Sequence, residues 1–223
     1  MPRAYPQVST PERYLAALGE HDPIESLRKA PKRLRKVLKG LSKKQLTRRS
    51  VEGKWSIKEV LAHLADGEVV LGARMRMVAS MERPVLVGYD QDAFVRELRY
   101  DDVEPEQLLE NFAAVRAINV AMLERLPDEV LARVGVHSER GDESLATMVF
   151  MYAGHDRLHE EQIERLKTES KAESKARGAA NSKAEAGSDS TPKVADAVVE
   201  KKRKHGKRSK KGRKAKKELA AAR

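Results

Sequence analysis

A chain of 223 residues with 45 Lys and Arg against 34 Asp and Glu carries a formal net charge of +11, yet residues 1–167 hold 27 of each sign, so the whole surplus falls on 168–223. Cysteine is absent, which excludes disulfides, thiolate metal ligands and a cysteine nucleophile. No apolar run approaches the roughly 18 residues of a membrane span, and the opening residues lack the apolar stretch of a secretory signal, so the expected setting is the cytoplasm with no membrane partner. The charge split divides the chain into a helical domain at 1–167 and a tail at 168–223.

Thr10-Pro11 and Asp22-Pro23 each set a capping residue before a proline at the first helical position, and both read as helix starts. After the second, Ile24, Leu27, Leu34, Val37, Leu38 and Leu41 recur at three- and four-residue steps, with Pro31 expected to split the segment. Residues 28–49 hold eleven Lys or Arg and no acid. They read as a solvated face whose compensating charge lies elsewhere in the domain, ahead of the alternative of a dedicated anion patch.

Ser56-Ile57-Lys58-Glu59 forms a capping box, and Trp55 and Val60 have the spacing of a hydrophobic staple. A long helix should start there, bury Ile57, Val60, Leu61, Leu64, Leu71, Met75, Val78 and Met81, and stop at Arg83-Pro84. A connection follows, with a turn at Tyr89-Asp90-Gln91-Asp92 and Phe94 as its anchor. Leu108, Leu109, Phe112, Val115, Ile118, Met122 and Leu123 then mark a helix from about Glu104 to Leu126. Residues 127–141 read as a connection with a short helical turn, and Asp142 as the cap of a last helix whose face carries Leu145, Met148, Tyr152, His155, His159, Gln162 and Leu166. Strand signals are few. The expected fold is all-α, an up-and-down four-helix bundle with one or two longer connections.

Three histidines carry the chemical signal. His155 and His159 stand one helical turn apart on one face and can share an ion. Alone the pair is weak, because a core-facing histidine is more often a hydrogen-bonded packing residue. His63 adds an imidazole from the buried side of a second helix, and a common ion then satisfies three rings that would otherwise each need partners. Neutral imidazoles suit zinc, nickel, copper or ferrous iron, and three protein ligands leave a position open for water or substrate. Asp66, Tyr152 and Gln162 lie at three-residue spacings from these histidines, as candidates to orient ligands and equally as ordinary core-edge polar residues. His21, His137 and His205 read as surface residues.

The run Gly53-Lys54-Trp55-Ser56-Ile57-Lys58-Glu59-Val60-Leu61-Ala62-His63-Leu64-Ala65-Asp66-Gly67-Glu68 resembles the first histidine motif of the DinB/YfiT-like superfamily. Gly154-His155-Asp156-Arg157-Leu158-His159-Glu160-Glu161-Gln162-Ile163 resembles the second. The resemblance extends over roughly 22–167, including the stretch from Tyr89 to Phe94 and the helix around Arg116. It implies a four-helix bundle, often a homodimer, with a divalent metal ion held by His63, His155 and His159, zinc or nickel first and iron next. It also implies a small-molecule reaction, either metal-dependent hydrolysis or transfer involving a low-molecular-weight thiol. A noncatalytic metal- or ligand-binding protein is the alternative.

Beyond Lys167 large apolar residues almost vanish, and the tail is expected to stay disordered, with transient helix at most around Val194 to Val199. Lys201, Lys202, Arg203, Lys204, Lys207, Arg208, Lys210, Lys211, Arg213, Lys214, Lys216 and Lys217 form a block without acids. Such density favours polyanions through counterion release, with little sequence preference and no aromatic stacking. Nonspecific nucleic-acid contact and nucleoid association are the partner expectations, beside a merely solubilising tail.

Overall fold

The computed structural model describes the backbone of residues 3–186 and the side chains as far as Glu173. Residues up to Asn181 belong to one compact unit, and a second unit from Ser182 lies almost wholly outside the described residues. Four long helices make the bundle: α2 (Pro23–Leu38), α4 (Ile57–Ser80), α6 (Pro105–Arg125) and α7 (Leu145–Ala186). Shorter helices α1 (Glu12–Leu18), α3 (Lys43–Thr47) and α5 (Gln91–Glu97) accompany them, with a small sheet of β1 (Val85–Leu86), β2 (Val134–His137) and β3 (Gly141–Ser144).

The caps explain most boundaries. Asp22 accepts from the Glu25 amide at 2.8 Å with Pro23 at the first helical position. The box at Ser56 is complete, since the Glu59 amide donates to Ser56 Oγ at 3.3 Å and the Ser56 amide to Glu59 Oε2 at 2.7 Å. Thr10 does not cap α1. Its hydroxyl instead donates to the Thr147 carbonyl at 3.2 Å and ties the N-terminal segment to α7.

Pro31 does not split α2, which runs unbroken through it. Proline lacks the N–H that would bond the Leu27 carbonyl one turn back. That carbonyl accepts from Arg116 Nη1 at 3.1 Å instead, so α6 repairs the gap in α2.

Two buried clusters fix the helix directions. One joins Leu27 of α2, Leu71 and Val78 of α4, Leu123 of α6 and Val149 of α7; the other joins Leu34, Leu61, Leu108 and Ile163 of the same helices in turn. Hence α4 and α6 run from the second cluster to the first, while α2 and α7 run the opposite way. The four-helix bundle is as expected, but its helices do not simply alternate. Residues 81–104 carry the chain back outside α4, fastened where Lys58 Nζ donates to the Asp101 carbonyl at 3.0 Å and Tyr100 to Asp66 at 2.5 Å. The turn expected at residues 89–92 is the start of α5, capped when Asp90 accepts from the Ala93 amide at 2.9 Å.

The connection at 127–141 contains the expected short turn, a 3₁₀ segment at Asp128–Ala132, and also a hairpin that periodicity did not reveal. Strands β2 and β3 pair antiparallel, and β1 adds to β2 in parallel. Asp142 therefore lies in β3 rather than capping α7. The cap is Ser144, whose hydroxyl accepts from the Thr147 amide at 3.0 Å.

The far end of α7 also differs from expectation. The helix continues past Lys167 to Ala186, because Ala, Lys and Glu in this stretch are strong helix formers even without a core to bury. The expectation of disorder bears on residues up to 223, and beyond Ala186 it lies outside the described residues, as does the basic block from Lys201 to Lys217. The basic stretch 28–49 finds its acids elsewhere in the fold: Arg33 meets Glu160 at 2.8 Å, Lys43 meets Glu104 at 2.6 Å, and Arg49 meets Glu59.

Candidate metal centre

His63 lies on the buried side of α4, two turns inside its cap and 4% exposed, with the Trp55 ring centroid 4.9 Å from its own. His155 and His159 face it from α7. Directly before them, Gly154 lets the backbone of α1 approach: a Cβ here would come within 2.1 Å of the Tyr14 carbonyl oxygen. The Tyr14 ring consequently stands 6.3 Å from that of His155 and helps to wall the site.

The three rings converge through their Nε2 atoms. His155 Nε2 is 3.1 Å from His63 Nε2 and 3.0 Å from His159 Nε2, and the three nitrogens all lie within 4.8 Å of one another. Zinc–nitrogen bonds of about 2.0–2.1 Å in a tetrahedral set hold their nitrogens roughly 3.3 Å apart. The two spacings at His155, 3.1 and 3.0 Å, need only a slight splay to reach it.

Protonation fits the same conclusion. His159 Nδ1 donates to Gln162 Oε1 at 2.8 Å, which leaves the Nε2 lone pair directed at the other two rings. Burial, with a contribution from His159, brings the His63 pKa down to about 3, and burial likewise depresses His155 and His159. All three are neutral at pH 7, the state a ligand requires. His63 Nδ1 and His155 Nδ1 are buried without a hydrogen-bond partner. Three neutral rings crowded nitrogen to nitrogen cannot satisfy one another with the protons they hold, whereas a cation at their centre takes a lone pair from each of the three Nε2 atoms. The donor set thus fits a divalent metal ion.

The other candidates separate. Gln162 holds His159. Tyr152 stands with its ring 5.6 Å from that of His155, and burial raises its pKa to about 12, keeping it a phenol. Asp66 is not drawn to the histidines; both its oxygens accept from Tyr100 at 2.5 Å.

His137 corrects the surface reading: it is 2% exposed, because the unforeseen hairpin carries it inward, while His21 is exposed as expected. A cavity of about 230 Å³ opens beside His63 and His155 and is bordered by Arg74, Tyr89, His137, Glu139, Arg140 and Tyr152.

Behind the histidines lies a buried ion cluster that sequence reasoning also missed. Arg116 of α6 donates to Asp156 at 2.5 Å and to Glu68 at 2.6 Å, and Asn119 donates to Glu68 at 2.7 Å. Burial opposes the charge on Arg116, but the carboxylates of Asp156 and Glu68 outweigh it and raise its pKa further. Asp156 directly follows His155, so the cluster fixes α7 against α4 and α6 at the height of the site. Polar Arg116 and Asn119 at helical spacing within the stripe from Phe112 to Leu123 were the available signal.

A family model of the DinB superfamily matches residues 26–163. The chain belongs to the DinB superfamily. Among curated relatives, a protein of Oceanobacillus iheyensis described as a "putative metal-dependent hydrolase" is 23% identical over 145 residues, covering 62% of this chain and 80% of that one. One of Bacillus cereus with the same description is 26% identical over 144 residues, covering 65% and 83%. Among solved structures, YfiT from Bacillus subtilis, described as a probable metal-dependent hydrolase with an unusual four-helix bundle topology, superposes with a TM-score of 0.63 at 21% identity, covering 74% of this chain and 93% of that one. This DinB bundle shares the YfiT fold, and the parallel course of α4 and α6 is its departure from simple alternation.

Proposed function

We propose that this DinB protein is a metal-dependent hydrolase of small molecules whose divalent ion, zinc in the first instance, is held by Nε2 of His63, His155 and His159. The observation that carries the reading is the meeting of three neutral imidazoles, His63 buried and His155 and His159 partly so, through the same ring atom from two helices. Such an ion supplies Lewis-acid polarisation of a carbonyl and activation of water near neutral pH. The chain's own residues prepare the place. Gln162 fixes the His159 tautomer, the Trp55 and Tyr14 rings stand beside those of His63 and His155, and the cavity beside His63 and His155 gives a small substrate access. Tyr152, a neutral phenol lining that cavity, can donate a hydrogen bond to a substrate oxygen. The relatives described as hydrolases support this choice over transfer to a low-molecular-weight thiol, for which the thiol would have to arrive as a substrate.

The test is turnover of a panel of small esters and amides by the full chain as purified, after chelation, and after zinc is restored. Activity that disappears with chelation and returns with zinc, and that is absent from His155→Ala, is expected. Turnover indifferent to chelation would contradict the reading, as would a zinc-loaded chain that transfers thiols but hydrolyses nothing.

A further inference from the structure

The cavity beside the histidines is rich in donors and poor in acceptors. Arg74 of α4 is 5% exposed, donates to the Val87 carbonyl and sits 5.7 Å from the centre of the Tyr89 ring. Among the described residues no carboxylate pairs with it, in contrast to Arg116, which has two. A buried guanidinium without a counter-charge is unfavourable unless something answers its charge. Arg140 is not a rival, because its guanidinium is bound to Glu143.

The neighbours point the same way. His137 accepts from the Glu139 amide through Nδ1 at 3.1 Å, so its proton sits on Nε2, which is buried and finds no acceptor. The hydroxyls of Tyr89 and Tyr152 line the same cavity and make no hydrogen bond among the described residues, so each has an O–H free to donate. Four donor side chains therefore border one small space. The single carboxylate on its border, Glu139, is exposed and lies over Gly88.

Arg74 and His63 share a face of α4. Eleven residues separate them, three turns of helix or about 16 Å between Cα atoms, and the long arginine side chain leans back toward the N-terminus and so toward the histidines. A molecule reaching from the rings to the guanidinium would present one end to each.

We propose that the cavity lined by Arg74, Tyr89, His137 and Tyr152 receives the carboxylate of a small monocarboxylic substrate, whose opposite end lies at the three histidines. One unpaired positive charge matches one carboxylate. A phosphate dianion would leave a charge unanswered and would face Glu139 at the rim. The cavity, below the roughly 300–1,000 Å³ usual for larger ligands, fits a molecule of a few carbons. This inference deepens the hydrolase reading and rests on it for the far end of the substrate, but the carboxylate site itself is separable.

Calorimetric titration of the full-length protein with butyrate and with its neutral isostere butyramide tests it, with metal content measured on the same samples. Saturable butyrate binding, with butyramide at least tenfold weaker, is expected. Arg74→Gln should weaken butyrate at least tenfold while Arg74→Lys retains most of the affinity, both at unchanged metal content. Should Arg74→Gln fail to fold, modification of wild-type arginines by phenylglyoxal, read by mass spectrometry, replaces it: butyrate should protect Arg74 and butyramide should not. Equal binding of the two probes, wild-type affinity in a folded Arg74→Gln, no protection of Arg74, or tighter binding of inorganic phosphate than of butyrate would each overturn the proposal. A chain that prefers butyrate yet holds no metal would support the carboxylate site and sink the hydrolase reading; a metal-loaded chain without that preference would do the reverse.

Discussion

At the level of single residues, the site depends on which nitrogen of each histidine is left bare. Gln162 decides this for His159 by accepting its Nδ1 proton. Replacing it with Leu should lower zinc affinity about 10- to 100-fold, the usual effect of losing a partner that orients a ligand, while Gln162→Glu should keep most of it. Competition against a chromophoric chelator measures both. The motifs around His63 and His155 made the three ligands legible in the sequence, because helical spacing alone sets His155 beside His159. Arg74 and His137 were not legible. Nothing local distinguishes a buried arginine from an exposed one, and His137 turns inward only through a hairpin whose β2 offers just Val134 and Val136 as β-branched residues.

The same histidines predict a pH dependence. Their pKa values in the folded chain lie below the ordinary value of about 6.5, reaching about 3 at His63. From about pH 6.5 downward the unfolded chain binds more protons than the folded one, so stability present above pH 6.5 is lost progressively as pH falls toward 3. The melting temperature of the metal-free protein should be nearly level between pH 7 and 8 and drop by several degrees between pH 6.5 and 5. A level profile across that lower range would show that the rings are not buried neutral.

Among the elements, close approaches matter more than periodicity. The amphipathic stripes, the cap at Asp22 and the box at Ser56 located the starts of α2 and α4 and both ends of α6 within a residue or two, since capping is written in adjacent side chains. The course of residues 81–104 was not written there, because it depends on distant partners such as Asp66 for Tyr100 and Lys58 for Asp101. Nor was the unbroken α2, whose Pro31 is tolerated only because Arg116 takes the spare carbonyl. Gly154 is the tightest of these approaches. Gly154→Ala forces α1 and α7 apart and should destabilise the chain by about 1–3 kcal/mol, read from urea denaturation, with a parallel loss of metal affinity as Tyr14 shifts from His155.

For the molecule as a whole, Arg116 is the tie, contacting α2, α4 and α7 from α6. Arg116→Leu leaves Glu68 and Asp156 buried without their counter-charge and should destabilise the fold by roughly 3–5 kcal/mol; urea denaturation checks it. Restoring neutrality with Glu68→Gln and Asp156→Asn in the same chain should recover part of that loss. The charge division at residue 167 makes a separate prediction. Removing residues 187–223 takes away the block from Lys201 to Lys217 and should abolish salt-sensitive retention on DNA while leaving zinc content unchanged.

Titration of the metal-free full-length chain with zinc, followed by calorimetry, tests the centre itself. One equivalent per chain should bind in the wild type, and His63→Ala, His155→Ala and His159→Ala should each lose that tight site while keeping their helical circular dichroism. A wild-type chain that takes up no zinc, or three folded variants that bind it as the wild type does, would contradict a metal centre at these residues.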